Sequence, residues 1–164
     1  MGNEMNVLVL CTGNSARSIM LESILNHNSD GRITAHSAGS KPTGAVNPGA
    51  IAQLKAVGLP TDNLRSKTWD EFATETAPEM DLVVTVCGNA RDETCPMWVG
   101  APMTAHWGAE DPADITEPSE AVQRAFSETY TRLLKYADAF IAIPFEDMDS
   151  DTLNRAVRKI GEHS

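Results

Sequence analysis

An apolar run, Val7-Leu8-Val9-Leu10, ends on Cys11 and runs into Thr12-Gly13-Asn14-Ser15-Ala16-Arg17-Ser18, a Cys-x5-Arg-Ser pattern. This junction constrains the fold more than any other stretch. Residues 6–10 read as a short buried strand. Residues 18–27 read as a helix, with Ile19, Leu21, Ile24 and Leu25 available for its buried side. Small residues between the two let the backbone curl so that successive N–H groups face one centre. The helix start adds its positive end. Thr12, Gly13, Asn14, Ser15, Ala16 and Arg17 therefore read as an oxyanion-binding loop, with Cys11 at its base favoured as thiolate. A cation at a helix N-terminus is mildly unfavourable by itself. Arg17 makes sense if a tetrahedral dianion in the loop takes a two-pronged hydrogen bond from it. The plain alternative is a small core cysteine followed by an ordinary Gly-Asn turn. Placement between strand and helix favours the site.

The rest of the chain continues the alternation. Residues 33–38 read as a second strand stopped by Gly39, and 41–47 as a loop. Residues 48–57 read as a helix closed by Gly58, which suits a left-handed C-terminal position. A short helix is expected at 68–73 and strands at 82–86 and 103–107. Val122, Phe126, Tyr130, Leu133 and Leu134 recur at helical spacing across 119–137. A last helix is expected at 151–160, with Ser150 as its N-cap. Strands alternating with helices imply an α/β fold with a mostly parallel sheet and helices on both faces. No repeat or linker divides the chain, so residues 1–164 are read as a single domain. In such sheets the binding crevice lies beyond the carboxyl ends of the strands, where both Cys11 and Cys87 fall.

A formal net charge of -10 argues against nucleic acid or an anionic membrane as partner. An anionic substrate must then be attracted locally, by the loop. No run reaches the ~18 apolar residues of a membrane span. The first residues lack a secretory signal, and Asn6 speaks against myristoylation of Gly2. Three cysteines, an odd number, suit a reducing cytoplasm better than a disulfide framework.

Cys87 and Cys95 flank Gly88-Asn89-Ala90-Arg91-Asp92-Glu93-Thr94. They can close a disulfide if that segment bends. Zinc is disfavoured by their spacing, and two unrelated core thiols remain the plain alternative. If the strands before Cys11 and Cys87 are parallel and adjacent, an order the sequence does not show, both sulfurs lie at one sheet edge and a redox relay is the favoured reading. Asp111, before Pro112, is either a solvated turn or a carboxyl that protonates a leaving oxygen. Ser18 can hydrogen-bond the Cys11 thiolate, cap the helix, or do both. His27, His36, His106 and His163 show no metal or base spacing. Met97, Trp98 and Trp107 read as packing.

Together these motifs resemble the arsenate reductases built on the low-molecular-weight phosphotyrosine phosphatase fold. The resemblance covers roughly 5–143 and rests on Cys11–Ser18, Ser37-Ala38-Gly39, Val46-Asn47-Pro48, Val84-Thr85-Val86-Cys87, Thr94-Cys95-Pro96 and His106-Trp107-Gly108-Ala109-Glu110-Asp111-Pro112-Ala113. It implies a four-stranded parallel sheet of order 2-1-3-4. It implies Cys11 as nucleophile, Arg17 as oxyanion clamp, Ser18 as thiolate support, Asp111 as general acid, and Cys87 and Cys95 as second and third redox thiols. Arsenate is the implied substrate, with phosphate and sulfate as mimics. No cofactor or metal is implied on the chain itself. The resemblance implies electrons from thioredoxin, or from glutaredoxin with glutathione. A cytoplasmic monomer is expected. Some members hold a potassium ion near the loop. Here Asn14, Glu22 and Ser37 match its ligands, but Lys67 stands where an aspartate is expected, so its ammonium is read as taking the ion's place. The 87–95 segment is one residue longer than in thioredoxin-coupled members, which leaves the donor open. The alternative activity is a phosphomonoester phosphatase using the same loop; Ala113 replaces the tyrosine such enzymes place after Asp-Pro. A non-catalytic oxyanion or redox sensor is the third reading.

Overall fold

The computed structural model describes residues 5–11, 13–62, 64–72, 74, 76, 79–86, 103–109, 112 and 117–162. The elements are β1 (Met5–Cys11), α1 (Arg17–Asn28), β2 (Ile33–Gly39), α2 (Pro48–Ala56), β3 (Leu82–Thr85), β4 (Met103–His106), α3 (Ser119–Ile141) and α4 (Ser150–Glu162). The four strands form one parallel sheet in the order β2-β1-β3-β4.

β1 is central, with Val9 opposite both Ser37 of β2 and Val84 of β3. A strand buried on both faces must be apolar throughout, which is why Val7 to Leu10 form an unbroken run. Val7 and Val9 join the larger core with Ile19, Met20 and Ile24 of α1, Ala50 and Leu54 of α2, and Phe126, Leu133 and Phe140 of α3. Leu8 and Leu10 face the other way, onto Ala38, Met80 and Val83. Trp69 and Phe72, from a one-turn 3-10 helix at Trp69–Phe72, cover that second cluster.

Several boundaries differ from expectation. The short helix expected at 68–73 is this single 3-10 turn. β4 ends at His106, although Trp107 N–H still donates to the Thr85 carbonyl at 2.8 Å. α3 runs past residue 137 to Ile141 because Phe140 is fully buried and continues the apolar stripe. Arg32 of the β2 entry then takes the Ile141 and Ile143 carbonyls at 2.7 and 2.9 Å, satisfying acceptors at the helix end. Ser150 is the first residue of α4 and not its cap; Asp149 Oδ1 accepts the Thr152 N–H at 2.7 Å and does that work. Gly58 has φ +84°, the left-handed conformation expected after α2.

α4 lies against β4. Leu153 and Val157 are buried there, Trp107 Nε1 donates to the Val157 carbonyl at 2.9 Å, and Arg158 Nε donates to the edge carbonyl of Thr104 at 3.2 Å. Gly161 sits so close that a Cβ would run into the His106 carbonyl oxygen. Among the described residues no helix is long and apolar enough to cross a membrane.

Candidate active site

Cys11 is the last residue of β1 and is buried, 2% exposed. The loop after it returns at once to start α1, so the sulfur lies under the helix N-terminus. Asn14 takes φ +47°, a left-handed conformation that asparagine tolerates better than most residues. That turn brings the Asn14 N–H to 3.2 Å from Cys11 Sγ. Ser18 Oγ stands 3.0 Å from the same sulfur.

The Asn14 side chain turns its donor end to Ser18. Asn14 Oδ1 accepts the Lys67 N–H at 2.8 Å, so its Nδ2 is the end that faces Ser18, at 2.8 Å. Ser18 Oγ accepts that bond, leaving its own hydrogen for Cys11. The Asn14 N–H and the Ser18 hydroxyl thus both face the sulfur.

The loop carbonyls are held from outside. Gly13 O accepts from Thr43 N at 3.0 Å and from Ser66 Oγ at 3.1 Å, and Ser15 O accepts from Asn47 N at 2.8 Å. In a trans peptide the next N–H points opposite to the carbonyl. Turning the carbonyls of Gly13 and Ser15 outward therefore turns the N–H groups of Asn14 and Ala16 inward, toward the space above Cys11. Thr43, Asn47 and Ser66 were not legible as site residues, because a backbone carbonyl acceptor leaves no mark in the sequence.

Arg17 opens α1 and is 4% exposed. Its Nη1 donates to Ala109 O at 3.1 Å and reaches Val86 O at 3.5 Å. Ala109 N–H donates to the same Val86 carbonyl at 3.2 Å. The guanidinium thus meets the chain one residue before Cys87 and two residues before Asp111. Cys11, Gly13, Asn14, Ser15, Ala16, Arg17 and Ser18 lie together at the junction of β1 and α1. Thr12, Cys87, Cys95 and Asp111 lie outside the described residues, as do Met97, Trp98 and His163.

Behind the loop, Lys67 Nζ lies 3.4 Å from Ser37 Oγ, 3.2 Å from the Arg65 carbonyl and 3.7 Å from Glu22 Oε1. Burial pushes the Glu22 carboxyl above its usual value, opposed by the Lys67 charge. Burial likewise pushes the Lys67 ammonium down, opposed by Glu22. Asn14, Glu22 and Ser37 do not fit a potassium ion here, since the Lys67 ammonium occupies Glu22 and Ser37 and the Lys67 peptide N–H takes Asn14 Oδ1. Among the described residues no three His, Cys, Asp or Glu side chains gather as a metal ion would require. His36 is half-buried against Phe72, at 5.4 Å between ring centroids; burial and then the nearby Lys67 charge push it below the usual histidine value. His106 Nδ1 pairs with Thr85 Oγ1 at 2.7 Å.

This cysteine loop at the end of the central strand matches, with the sequence over residues 6–156, the low molecular weight phosphotyrosine protein phosphatase family. The chain belongs to that family. Its relatives include arsenate reductase 1 of Bacillus cereus, 36% identical over 138 residues that span 84% of this chain and 98% of that protein. The arsenate reductase of Halalkalibacterium halodurans is 38% identical over 138 residues, covering 84% and 96% respectively. A solved arsenate reductase in its phosphate-binding state superposes with a TM-score of 0.65 at 25% identity, over 84% of this chain and 97% of that one. The low-molecular-weight phosphatase fold is thus shared with enzymes named for arsenate reduction.

Proposed function

We propose that the protein reduces arsenate to arsenite with Cys11 as nucleophile. The observation that carries this reading is the convergence of the Asn14 N–H and the Ser18 hydroxyl on Cys11 Sγ, beneath a loop whose carbonyls are tied outward. The likeness to arsenate reductases selects arsenate over phosphate monoesters as substrate.

Arsenate lies in the loop as a tetrahedral dianion, held by inward N–H groups and the Arg17 guanidinium. The Cys11 thiolate attacks arsenic. An As–O bond breaks, and Asp111 gives the departing oxygen its proton. Cys87 then attacks Cys11 Sγ. The S–As bond breaks with its electron pair staying on arsenic, so As(V) leaves as As(III) and a Cys11–Cys87 disulfide forms. Cys95 attacks Cys87, the disulfide moves to Cys87–Cys95, and Cys11 is free again. An external dithiol protein, thioredoxin or glutaredoxin with glutathione, reduces that pair. Each turnover moves two electrons from protein sulfur to arsenic, and no flavin, nicotinamide or metal takes part. Support for Cys87 in this role comes from Arg17 Nη1, which reaches the carbonyl of the residue before it.

The test assays arsenate reduction and para-nitrophenyl phosphate hydrolysis side by side. Cys87→Ser loses arsenate turnover and keeps any phosphate ester hydrolysis, whereas Cys11→Ser loses both. Wild-type protein that reduces no arsenate with either thiol donor contradicts the proposal.

A further inference from the structure

We propose that Tyr136 of α3 is a positioning residue for the Arg17 guanidinium, acting through the Gly108–Ala109 peptide. The proposal rests on the reading of Arg17 as an oxyanion donor.

Three consecutive residues after β4 are each held by a different element. Trp107 is held by α4 through its Nε1 bond to Val157 O, and its ring stacks on Tyr136 at 5.8 Å between centroids. The Gly108 carbonyl accepts from the Tyr136 hydroxyl at 2.6 Å and from Arg132 Nε at 3.0 Å. Ala109 is held by Val86, the residue after β3, and by α1, its N–H on Val86 O and its carbonyl on Arg17 Nη1.

The trans geometry of the Gly108–Ala109 peptide links these bonds. The Gly108 carbonyl and the Ala109 N–H point opposite ways. One end of the peptide is therefore anchored on α3 and the other on Val86. Rotating this peptide loosens the grip of the Ala109 N–H on Val86 O, and the Val86 and Ala109 carbonyls both face Arg17 Nη1. An arginine side chain has several rotatable bonds and loses much freedom when held. Fixed carbonyl acceptors on its far side hold the guanidinium ready for the loop before an anion arrives. Tyr136 is buried and stacked, so its hydroxyl approaches Gly108 from a fixed direction. Arg132 lies over the same phenol ring at 5.8 Å and supplies the second donor.

The test labels Cys11 with iodoacetamide at rising inorganic phosphate and reads the Cys11 peptide by mass spectrometry. Tyr136→Phe keeps the ring and removes one hydrogen bond, so the half-protecting phosphate concentration rises about two- to tenfold. Labelling without phosphate stays at the wild-type rate, because Asn14 and Ser18 still hold the sulfur. Arg132 is exposed, so Arg132→Gln folds as wild type does and shifts phosphate protection the same way. Unchanged phosphate protection in both variants overturns the proposal. So does a Tyr136→Phe labelling rate that changes equally with and without phosphate, which marks a general loosening. Wild-type protein that phosphate does not protect overturns the oxyanion reading itself.

Discussion

Lys67 Nζ lies 3.7 Å from Glu22 Oε1, with the two side chains only 8% and 12% exposed, and the Lys67 peptide N–H holds Asn14 of the cysteine loop. One residue thus provides both the charge behind the loop and a strut for it. Removing one partner of a buried pair costs about 3–5 kcal/mol. Lys67→Met should lower the unfolding free energy by that order at pH 8, measured in urea. Glu22 then sits unpaired with its carboxyl raised, so the variant's stability is retained at low pH and lost as pH rises through the raised value. Glu22→Gln added to Lys67→Met should recover much of the loss. The wild-type thermal midpoint should be the same in sodium and potassium chloride.

Ser18→Ala removes one of the two donors on Cys11 and leaves the Asn14 N–H in place. Labelling of Cys11 by iodoacetamide at pH 6.5 should slow by about two- to tenfold, while the unfolding midpoint changes little. Ser18→Thr should keep most of the rate, since it keeps a hydroxyl.

Gly161→Ala puts a methyl group into the His106 carbonyl. α4 has to shift off β4, at about 1–3 kcal/mol. The loss should appear in urea unfolding and in hydrogen exchange of α4, with the Cys11 labelling rate unchanged.

Arg32 pairs with Glu146 at 2.6 Å and holds its carboxyl down, from the usual 4.5 to about 2. A lowered carboxyl contributes stability above its unfolded value that disappears as pH falls through the folded one. Wild-type stability should therefore drop between about pH 4.5 and 2, and Glu146→Gln should flatten that limb. The pair is partly exposed, so added salt should shrink the difference.

The β1–loop–α1 unit was legible because its signal is local. An apolar run, small residues and a helical repeat are all read within Met5–Asn28. The strand order was not in the pattern at all; it came from the resemblance, since pairing joins residues distant in sequence. The supports of the site were hidden for the same reason. Ser66 reaches Gly13 across 53 positions and Tyr136 reaches Gly108 across 28. Both bind main-chain oxygens, which every residue carries. The end of α3 was misjudged because Asp138 interrupts the apolar count before Phe140 resumes it. Ser150 and Asp149 are both good caps, and only the geometry separates them.

In the proposed reaction sulfur on this chain supplies both electrons. The direct measurement is a single turnover of fully reduced protein with one equivalent of arsenate and no external thiol, followed by arsenite quantification and a free-thiol count. One arsenite per chain is expected, with two of the three thiols lost and a Cys87–Cys95 disulfide on peptide mapping. Arsenate recovered intact with all three thiols free would contradict it.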